Sequence, residues 1–566
     1  MVKLDTLLVN GRFVTMDNGV PHASTIGIIG ERIVLVGDVN AAAGLSARRT
    51  IDLDGRTVVP GFNDAHQHMT FYGDTLRRID LSSPPIKTIA EILDAVAQRA
   101  AQTPKGQWIL GSGYDQNKLA ERRHPTATEL DRVAPDHPVM LQHNSGHMIT
   151  INTALLRLAR IGDVPVPSGG EVVIGSDGQP TGLILEQAQE LVHSLYKPFS
   201  TAEVAESLKS ASSAYLAEGV TSCQEAGVGL GLVGHTPIEL SAFQNAREQG
   251  DLNVRVTAMI AQESLHPVTH HVDDNADRTL DLGVRTGFGD DWIRIGNTKV
   301  FADGSLIGRT CAMFEPFAPD PANPDLASDN NGFFLLEPDE LRPIIIEAHQ
   351  AGSQVGVHAI GDRAVSTVLD LYEEALRLHP RVDHRHRIEH AGVVRPDDVE
   401  RMARLGVIPI PQARFISELG DGMAAALGSD RVANCYRQKS FLDAGIPLPG
   451  SSDRPVVKGA PMLGIHDLVN QRTESGQPFN PHEVLTFEEA LRAYTLGSAY
   501  AAFDEGSKGS LTSGKLADLV VLDADPESVG NDAIAEVGVL ATMVGGNFRH
   551  DPHGLANEKS ATQSAG

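Results

Sequence analysis

The sequence predicts an α/β fold, a (β/α)₈ TIM barrel with a small β-sandwich domain built from the N- and C-terminal segments. Three observations predict it. Through the middle of the chain, strand patterns alternate with amphipathic helix patterns; the strands there number eight; and both chain ends instead have short strands and tight turns. The 566 residues are 41% hydrophobic and 21% charged, a composition that excludes fibrous and disordered classes.

The two ends of the chain share one pattern. Residues 1–58 contain short alternating strands separated by turn pairs such as Asn10-Gly11, and the segments 509–525 and 537–550 repeat that pattern. We therefore expect 1–58 and 504–550 to form one composite β-sandwich domain. The segment 551–566 is small and polar, which is typical of a disordered tail.

The central segment 59–503 is predicted to be the barrel. Its eight strands are expected within 58–68, 219–227, 254–260, 292–304, 353–362, 386–392, 407–412 and 446–453. Helix patterns follow at 337–352, 363–379, 395–406, near 429–444 and at 486–503. Eight parallel strands joined by helices are typical of a closed (β/α)₈ barrel.

Residues 70–205 are too long for an ordinary connection after the first strand. Two capping boxes predict helix starts there, Thr88 with Glu91 and Thr126 with Glu129. The segment 169–186 has the pattern of a hairpin. We expect an inserted subdomain over the barrel mouth.

Charge and composition narrow the classes of partner. The formal net charge is −26, which argues against nucleic acid because such binding needs clustered cations. No apolar stretch approaches the 18 to 20 residues of a membrane span, and the start lacks the apolar core of a signal peptide. The three cysteines are far apart, which fits a reducing cytoplasm. We expect a cytoplasmic protein with a small-molecule substrate and a possible homodimer.

The chain is rich in histidine, with 22 histidines and only 2 tryptophans, which directs attention to imidazole chemistry. His66 and His68 form an HQH motif at the end of the first predicted strand, and His358 and His390 end the fifth and sixth strands. Asp453 ends the eighth. Catalytic residues of a barrel collect at the carboxyl ends of its strands, so the spacing predicts that these side chains converge.

Each of these residues also has a plain structural interpretation. A lone HxH pair is more often part of a turn, a lone strand-end histidine is more often a hydrogen-bonded core residue, and Asp453 could cap the following helix. Joint placement on four strands favours a metal site. Imidazole and carboxylate ligands without thiolate suit a divalent ion, Zn²⁺ first, with Mn²⁺, Fe²⁺ or Ni²⁺ as alternatives.

The chain resembles the amidohydrolase superfamily, specifically the amidohydrolase family 3 branch that includes N-substituted formamide deformylases. The residues that carry the resemblance are VVPGFNDAHQH (58–68), KVFADGSLIGRT (299–310), VHAIGDRA (357–364), HRIEHAG (386–392), PGSSDRP (449–455) and GSLTSGKLADLVVLDADP (509–526). The resemblance covers nearly the whole length. It implies a metal-bearing barrel and a sheet domain built from both chain ends.

The resemblance also implies that Lys299 reacts with CO₂ to form a carbamate that bridges two metal ions. A protonated lysine has no lone pair to donate and would be repelled by a dication. The alternative is an ordinary buried Lys299 paired with Asp303 or another acid, with one metal ion. His147 and Glu186 in the insertion, and Arg309 after the fourth strand, are candidate substrate-binding residues.

We expect metal-dependent hydrolysis of an amide-type C–N bond, in an N-acyl, N-formyl or cyclic amide, by a metal-activated hydroxide with Asp453 as general base and acid. One alternative is a mononuclear deaminase of an amino-heterocycle, although such enzymes usually have a glutamate near the strand-five histidine, where this chain has Asp362. The other is a non-catalytic scaffold on the same fold, although no ligand residue is missing.

Overall fold

The computed structural model describes residues 3–116, 118–143, 148–167, 170–196, 198–231, 233–274, 276–319 and 329–557. The chain divides into two compact units. The first unit comprises Met1–Met69, Ser212–Gly234 and Glu239–Gly566, and the second comprises Thr70–Ala211 and His235–Ile238.

A parallel sheet of seven strands is the centre of the first unit. In spatial order, barrel strands 1 to 7 are Phe62–Gln67, Val220–Val228, Arg255–Ala261, Ile293–Phe301, Val355–Ala359, Arg387–His390 and Ile408–Ile410. Each strand pairs in parallel with the next one along the chain. These are seven of the eight predicted strands, in the predicted order, in a nearly closed sheet compatible with a TIM-like barrel.

The segment 449–453 occupies the predicted eighth position without forming a regular strand. On one side, Gly450 accepts a hydrogen bond from Ala65 N at 2.9 Å, and Asp453 N donates to His66 O at 2.8 Å. On the other side, Ser451 forms a parallel bridge with Gln412. The segment therefore lies between the first and last strands.

Helices follow the barrel strands as the sequence predicts, with two differences. The α-helices of the first unit beyond residue 238 are Glu239–Glu248, Pro338–Gln350, Asp362–Leu378, Pro396–Leu405, Phe415–Leu427, Gln438–Asp443, Pro461–Asn470, Phe487–Arg492 and Ser498–Ala501. The helix expected near 429–444 is present only in part: Gly428, with a φ of 76°, ends the preceding helix, a 3₁₀ turn covers Val432–Asn434, and the α-helix begins at Gln438. The helix expected at 486–503 contains a π-helical turn at Ala493–Gly497.

Two further sheets of the first unit come from the chain ends. One contains Lys3–Val9, Thr25–Ile29, Arg32–Gly37 and Ser46–Asp52; the other contains Arg12–Val14, His22–Ala23, Thr57–Pro60, Leu519–Leu522, Val539–Val544 and Asn547–His550. Both sheets contribute to one hydrophobic core. Leu555 is buried in this core, so residues 551–557 differ from the disordered tail that the sequence predicts. The β-sandwich domain and its boundaries stay predictions.

Gly61 connects the terminal strands to the barrel in a crowded place. A Cβ atom at this position would lie 2.1 Å from the hydroxyl oxygen of Thr221. Because no side chain fits there, glycine lets the strand Thr57–Pro60 continue directly into barrel strand 1.

The second unit has its own sheet of six strands. The strands are Ile79–Asp80, Ile109–Tyr114, Val139–His143, Met148–Ile151, Gly170–Ile174 and Pro180–Glu186. The helices are Met69–Arg77, which begins in the first unit, Ile89–Gln102, Ala127–Val133, Thr153–Leu158, Glu190–His193 and Thr201–Ala217, which runs into it. Both predicted capping boxes and the predicted hairpin are present.

Among the described residues, none of the helices combines the length and the apolar character that a membrane crossing requires.

Candidate metal centre

Three predicted ligands meet at the carboxyl ends of the barrel strands. One ligand atom each from His66, His68 and Asp453 lies within 4.8 Å of the other two. The Oδ1 atom of Asp453 is 3.4 Å from Nε2 of His66 and 3.1 Å from Nε2 of His68. This carboxylate oxygen is buried and has no hydrogen-bond partner among the described residues.

The proton of His66 is held on the side of the ring away from Asp453. Nδ1 of His66 lies 2.5 Å from Oε2 of Glu389, and both side chains are buried. Burial lowers the pKa of His66 well below its ordinary value, so the ring is neutral and has one N–H. With that N–H donated to Glu389, the lone pair of Nε2 faces the carboxylate of Asp453. Two acceptors at this separation call for a cation between them.

His358 and His390 have their protons held in the same way. His390 donates Nδ1–H to Oε1 of Gln412 at 2.7 Å, and His358 donates Nε2–H to the carbonyl oxygen of Gly304 at 3.0 Å. Burial lowers the pKa of His358 to about 3 and that of His390 well below its ordinary value. Each ring therefore keeps one unprotonated nitrogen for a ligand.

His390 lies beside both His66 and His358, and Lys299 is near enough to these three rings for its charge to add to the effect of burial in lowering the pKa of each. Ring centroids of His66 and His390 are 5.0 Å apart, and those of His390 and His358 are 4.4 Å apart. Lys299 is buried, and its Nζ lies 4.7 Å from the ring centre of Phe301, the residue paired with His358 in the sheet. Burial lowers the pKa of Lys299 to about 8, against the opposing attraction of Glu389 and Asp453.

Two residues of the centre have strained backbone conformations. His390 has a φ of 71° and Asp453 a φ of 59°, in the left-handed region that residues other than glycine rarely adopt. Such conformations persist only where the surrounding structure imposes them, and they gather at functional sites.

The donor set fits a divalent metal ion. Imidazole nitrogens with fixed lone pairs and one orphaned carboxylate oxygen are ligands that Zn²⁺ and similar ions prefer. Unpartnered acceptors this deeply buried are costly unless a cation binds them.

Comparison with known proteins decides the family. A model of the amidohydrolase family matches residues 49–550. The chain belongs to the amidohydrolase family. This amidohydrolase is 30% identical to the N-substituted formamide deformylase of Arthrobacter pascens, over 97% of this chain and 99% of that protein. It is 32% identical to the protein LONG AFTER FAR-RED 3 of Arabidopsis thaliana, over 96% and 91% of the two chains.

Solved structures agree with this membership. An uncharacterized metal-dependent hydrolase of Pyrococcus horikoshii superposes with a TM-score of 0.74 at 27% identity, covering 93% of this chain and 99% of that one. The protein is therefore a metal-dependent hydrolase acting on carbon–nitrogen bonds, which confirms the predicted enzyme class.

The structure of the amidohydrolase does not test the three predicted substrate-binding residues. His147 lies outside the described residues, and so does the side chain of Glu186, the last residue of its strand. Arg309 is half-buried and donates to the carbonyl oxygen of Ala318, a contact within the loop that follows barrel strand 4. Their role in substrate binding stays a prediction.

Three residues of the amidohydrolase centre are missing from the sequence prediction. Glu389 and Gln412 fix the histidine rings, and Asp64 accepts hydrogen bonds from the backbone N–H groups of His66 and Ser452, both at 3.1 Å. Asp64 thereby joins barrel strand 1 to the segment 449–453. A polar residue one or two positions before a strand-end histidine is the signal that could have identified Asp64 and Glu389.

Proposed function

We propose that this protein hydrolyses an amide-type C–N bond of a small molecule, in an N-formyl, N-acyl or cyclic amide. The observation that carries the proposal is the buried Oδ1 of Asp453, which faces His66 and His68 and has no hydrogen-bond partner among the described residues. The similarity to an N-substituted formamide deformylase makes N-substituted formamides the first substrates to test.

The metal ligands of this proposal are His66, His68, His358, His390 and Asp453. A divalent cation held there, with Zn²⁺ as the first candidate, polarises a carbonyl group and lowers the pKa of water.

Asp453 moves the proton in the proposed reaction. Its carboxylate accepts the proton that water loses as the water oxygen bonds to the carbonyl carbon. It then donates that proton to the nitrogen as the C–N bond breaks, because an amine leaves poorly unless it is protonated. Glu389 keeps the proton of His66 on Nδ1 throughout, so this ring does not compete for the transferred proton.

Lys299 decides the number of metal ions. Its buried position beside the histidines supports the carbamate formed with CO₂, which would bridge two ions. The alternative pairing with Asp303 has less support, since the Asp303 carboxylate accepts backbone hydrogen bonds from Ala312, Ile360 and Gly361 instead.

The test begins with protein loaded with Zn²⁺ in bicarbonate buffer, whose metal content is measured by mass spectrometry. N-substituted formamides and N-acetylated amines are then assayed for release of acid and amine in equal amounts. We expect Asp453→Asn to keep most of the metal but to lower turnover by about 10² to 10⁴-fold, the usual contribution of a general base and acid.

Asp94→Asn is the matched control, because Asp94 is exposed on the helix Ile89–Gln102. It should retain wild-type turnover. Activity of Asp453→Asn close to that of the control would show that Asp453 does not carry the proton. Release of ammonia from an aminopyrimidine with one metal ion per chain would favour the deaminase instead. Among the described residues, Asp362 makes no contact that favours that reaction, since its Oδ1 accepts a hydrogen bond from Phe314 N at 2.9 Å.

We also propose, as predicted from the sequence, a cytoplasmic protein with a possible homodimer, and the two terminal sheets as its β-sandwich domain. Light scattering of the purified chain measures the oligomeric state.

A further inference from the structure

A cavity of about 230 Å³ lies within the second unit, which contains none of the proposed metal ligands. Arg77, Arg99, Trp108 and Phe199 line it, and we refer to it as the arginine cavity. Its other lining residues come mainly from the helices Met69–Arg77 and Thr201–Ala217.

Two guanidinium groups at the arginine cavity have only neutral partners among the residues that the structure describes. Arg77 donates to the carbonyl oxygen of Glu203 at 3.2 Å and to the hydroxyl of Ser207 at 3.4 Å. Arg99 donates to the carbonyl oxygen of Arg77 at 3.0 Å. Neither has a carboxylate partner within 4.0 Å in the part of the chain that the structure describes.

The carboxylates of the cavity are already engaged elsewhere. Asp74 accepts two hydrogen bonds from the buried Arg78, at 2.9 and 2.6 Å. Glu203 accepts hydrogen bonds from the backbone N–H and the hydroxyl of Ser200, at 2.8 and 2.7 Å. Within the described part of the chain, Arg77 and Arg99 therefore remain as cationic groups without a counter-charge, and the chemical complement of the site is an anion.

Aromatic rings form another part of the cavity wall. Phe199 stacks on His235 with ring centroids 5.5 Å apart, and Trp108 packs edge to face against Tyr196 at 5.6 Å. Half-buried Trp108 and Phe199 offer flat apolar surface beside the two arginines.

We propose that the arginine cavity is a binding site for a small aromatic carboxylate. The carboxylate is held by Arg77 and Arg99, and the ring of the ligand packs against Trp108 and Phe199. Binding of such a ligand does not depend on the proposed function.

Benzoate is the probe, and Trp108 is the reporter. The chain has two tryptophans, so Trp292→Phe leaves Trp108 as the only one. In the full-length, Zn²⁺-loaded Trp292→Phe protein, we expect benzoate to change the tryptophan emission saturably at low salt. We expect Arg77→Gln/Arg99→Gln to weaken that binding at least tenfold. Arg132→Gln, an exposed arginine of the same unit, should leave it unchanged.

Two further probes separate the contributions of charge and ring. Benzamide has the same ring without the charge, and inorganic phosphate has charge without a ring; both should bind at least tenfold more weakly than benzoate. Absence of a saturable emission change with benzoate would overturn the proposal, as would undiminished binding to the double variant. Equal binding of benzamide or of phosphate would equally overturn it, because the site would then not require both features.

Discussion

At the scale of single residues, the centre is organised by the groups behind the histidines. Glu389 fixes one ring, and Gln412 and the backbone of Gly304 fix two others. Arg387 in turn fixes Glu389, with Nε 2.8 Å from Oε1 and Nη2 2.9 Å from Oε2. A ligand nitrogen oriented in advance loses little freedom when it binds a cation.

Glu389→Gln tests this positioning role. Without the full carboxylate, the N–H of His66 loses its charged acceptor, and we expect metal affinity to fall about 10 to 100-fold. Activity should fall in low-metal buffer and recover largely with excess Zn²⁺, which a purely structural role would not produce. Affinity is measured by competition with a fluorescent zinc chelator. The control is Glu400→Gln, which changes an exposed glutamate on the helix Pro396–Leu405 and should leave the metal affinity at the wild-type value. A wild-type metal affinity of Glu389→Gln would show that Glu389 does not position His66.

Lys299→Met tests the carbamate. With ¹³C-bicarbonate and Zn²⁺, the wild type should show a carbamate carbon signal and bind two metal ions per chain. Lys299→Met should lose the signal and bind one ion, because the bridging oxygens are gone. Lys458→Met, which changes an exposed lysine, should behave as the wild type. One metal ion in the wild type with bicarbonate present would rule out the two-ion site.

At the scale of elements, the amino ends of barrel strands 5 and 6 hold a chain of neutral histidines. Val355 N donates to Nδ1 of His386 at 3.0 Å, so His386 carries its proton on Nε2 and donates to Nδ1 of His349 at 2.9 Å. His349 then donates Nε2–H to the carbonyl oxygen of His379 at 2.6 Å. All four ring nitrogens of His349 and His386 have hydrogen-bond partners only while both of these rings are neutral.

This network predicts acid sensitivity. Burial lowers the pKa of His349 to about 4 and that of His386 well below its ordinary 6.5. The unfolded chain therefore binds more protons than the folded one below about pH 6.5. The stabilisation is complete above that pH and is lost as the pH falls toward 4, by about 1.4 kcal/mol per pH unit for each histidine that stays neutral.

The thermal midpoint between pH 7.5 and 5 measures this loss. We expect the midpoint of His349→Gln to fall less over this range than that of the wild type, because one titrating group is removed while an amide N–H can still reach His379. His482→Gln, which changes an exposed histidine, should follow the wild type. Equal decreases in all three proteins would contradict the assignment.

The same elements show what the sequence could predict. The capping boxes at Thr88 and Thr126 were predictable because their partners lie three residues away. The strand-end histidines were predictable because the carboxyl ends of parallel strands meet at one edge. The position of Glu389 beside a strand-end histidine was visible, but its contact with His66 was not, because the two residues are 323 positions apart and only the folded chain brings them together. The six-stranded sheet of the second unit was missed for a similar reason, since four of its strands lie outside the single predicted hairpin.

At the scale of the whole chain, the two ends meet before the barrel begins. The strand Thr57–Pro60 pairs in parallel with Arg12–Val14 and antiparallel with Leu519–Leu522, and Gly61 then leads into barrel strand 1. Folding of the first unit therefore requires contacts between residues about as distant in sequence as the chain allows. Such contacts have a high loop-closure cost, which the shared core of the two sheets must offset.

A buried ion pair stabilises the junction between the terminal strands and the barrel. Arg255, the first residue of barrel strand 3, has its Nε 2.8 Å from Oδ2 of Asp518, which directly precedes the strand Leu519–Leu522. Oδ1 of Asp518 also accepts a hydrogen bond from Gly545 N at 2.8 Å. The half-exposed Glu31 is also near Arg255, with its Oε2 3.2 Å from Nη2.

Asp518→Asn should therefore destabilise the first unit. The amide keeps an oxygen for Gly545 N but leaves the buried guanidinium of Arg255 without its main counter-charge, a loss on the order of 3 kcal/mol. The measurement is the denaturant midpoint of the variant relative to the wild type. Asp291→Asn is the matched exchange at an exposed pair, where Asp291 lies 2.9 Å from Arg32, and it should cost at most about 1 kcal/mol. If both variants unfolded at the same midpoint, the buried pair would contribute no more than a surface one, and the junction would be held by its hydrophobic core alone.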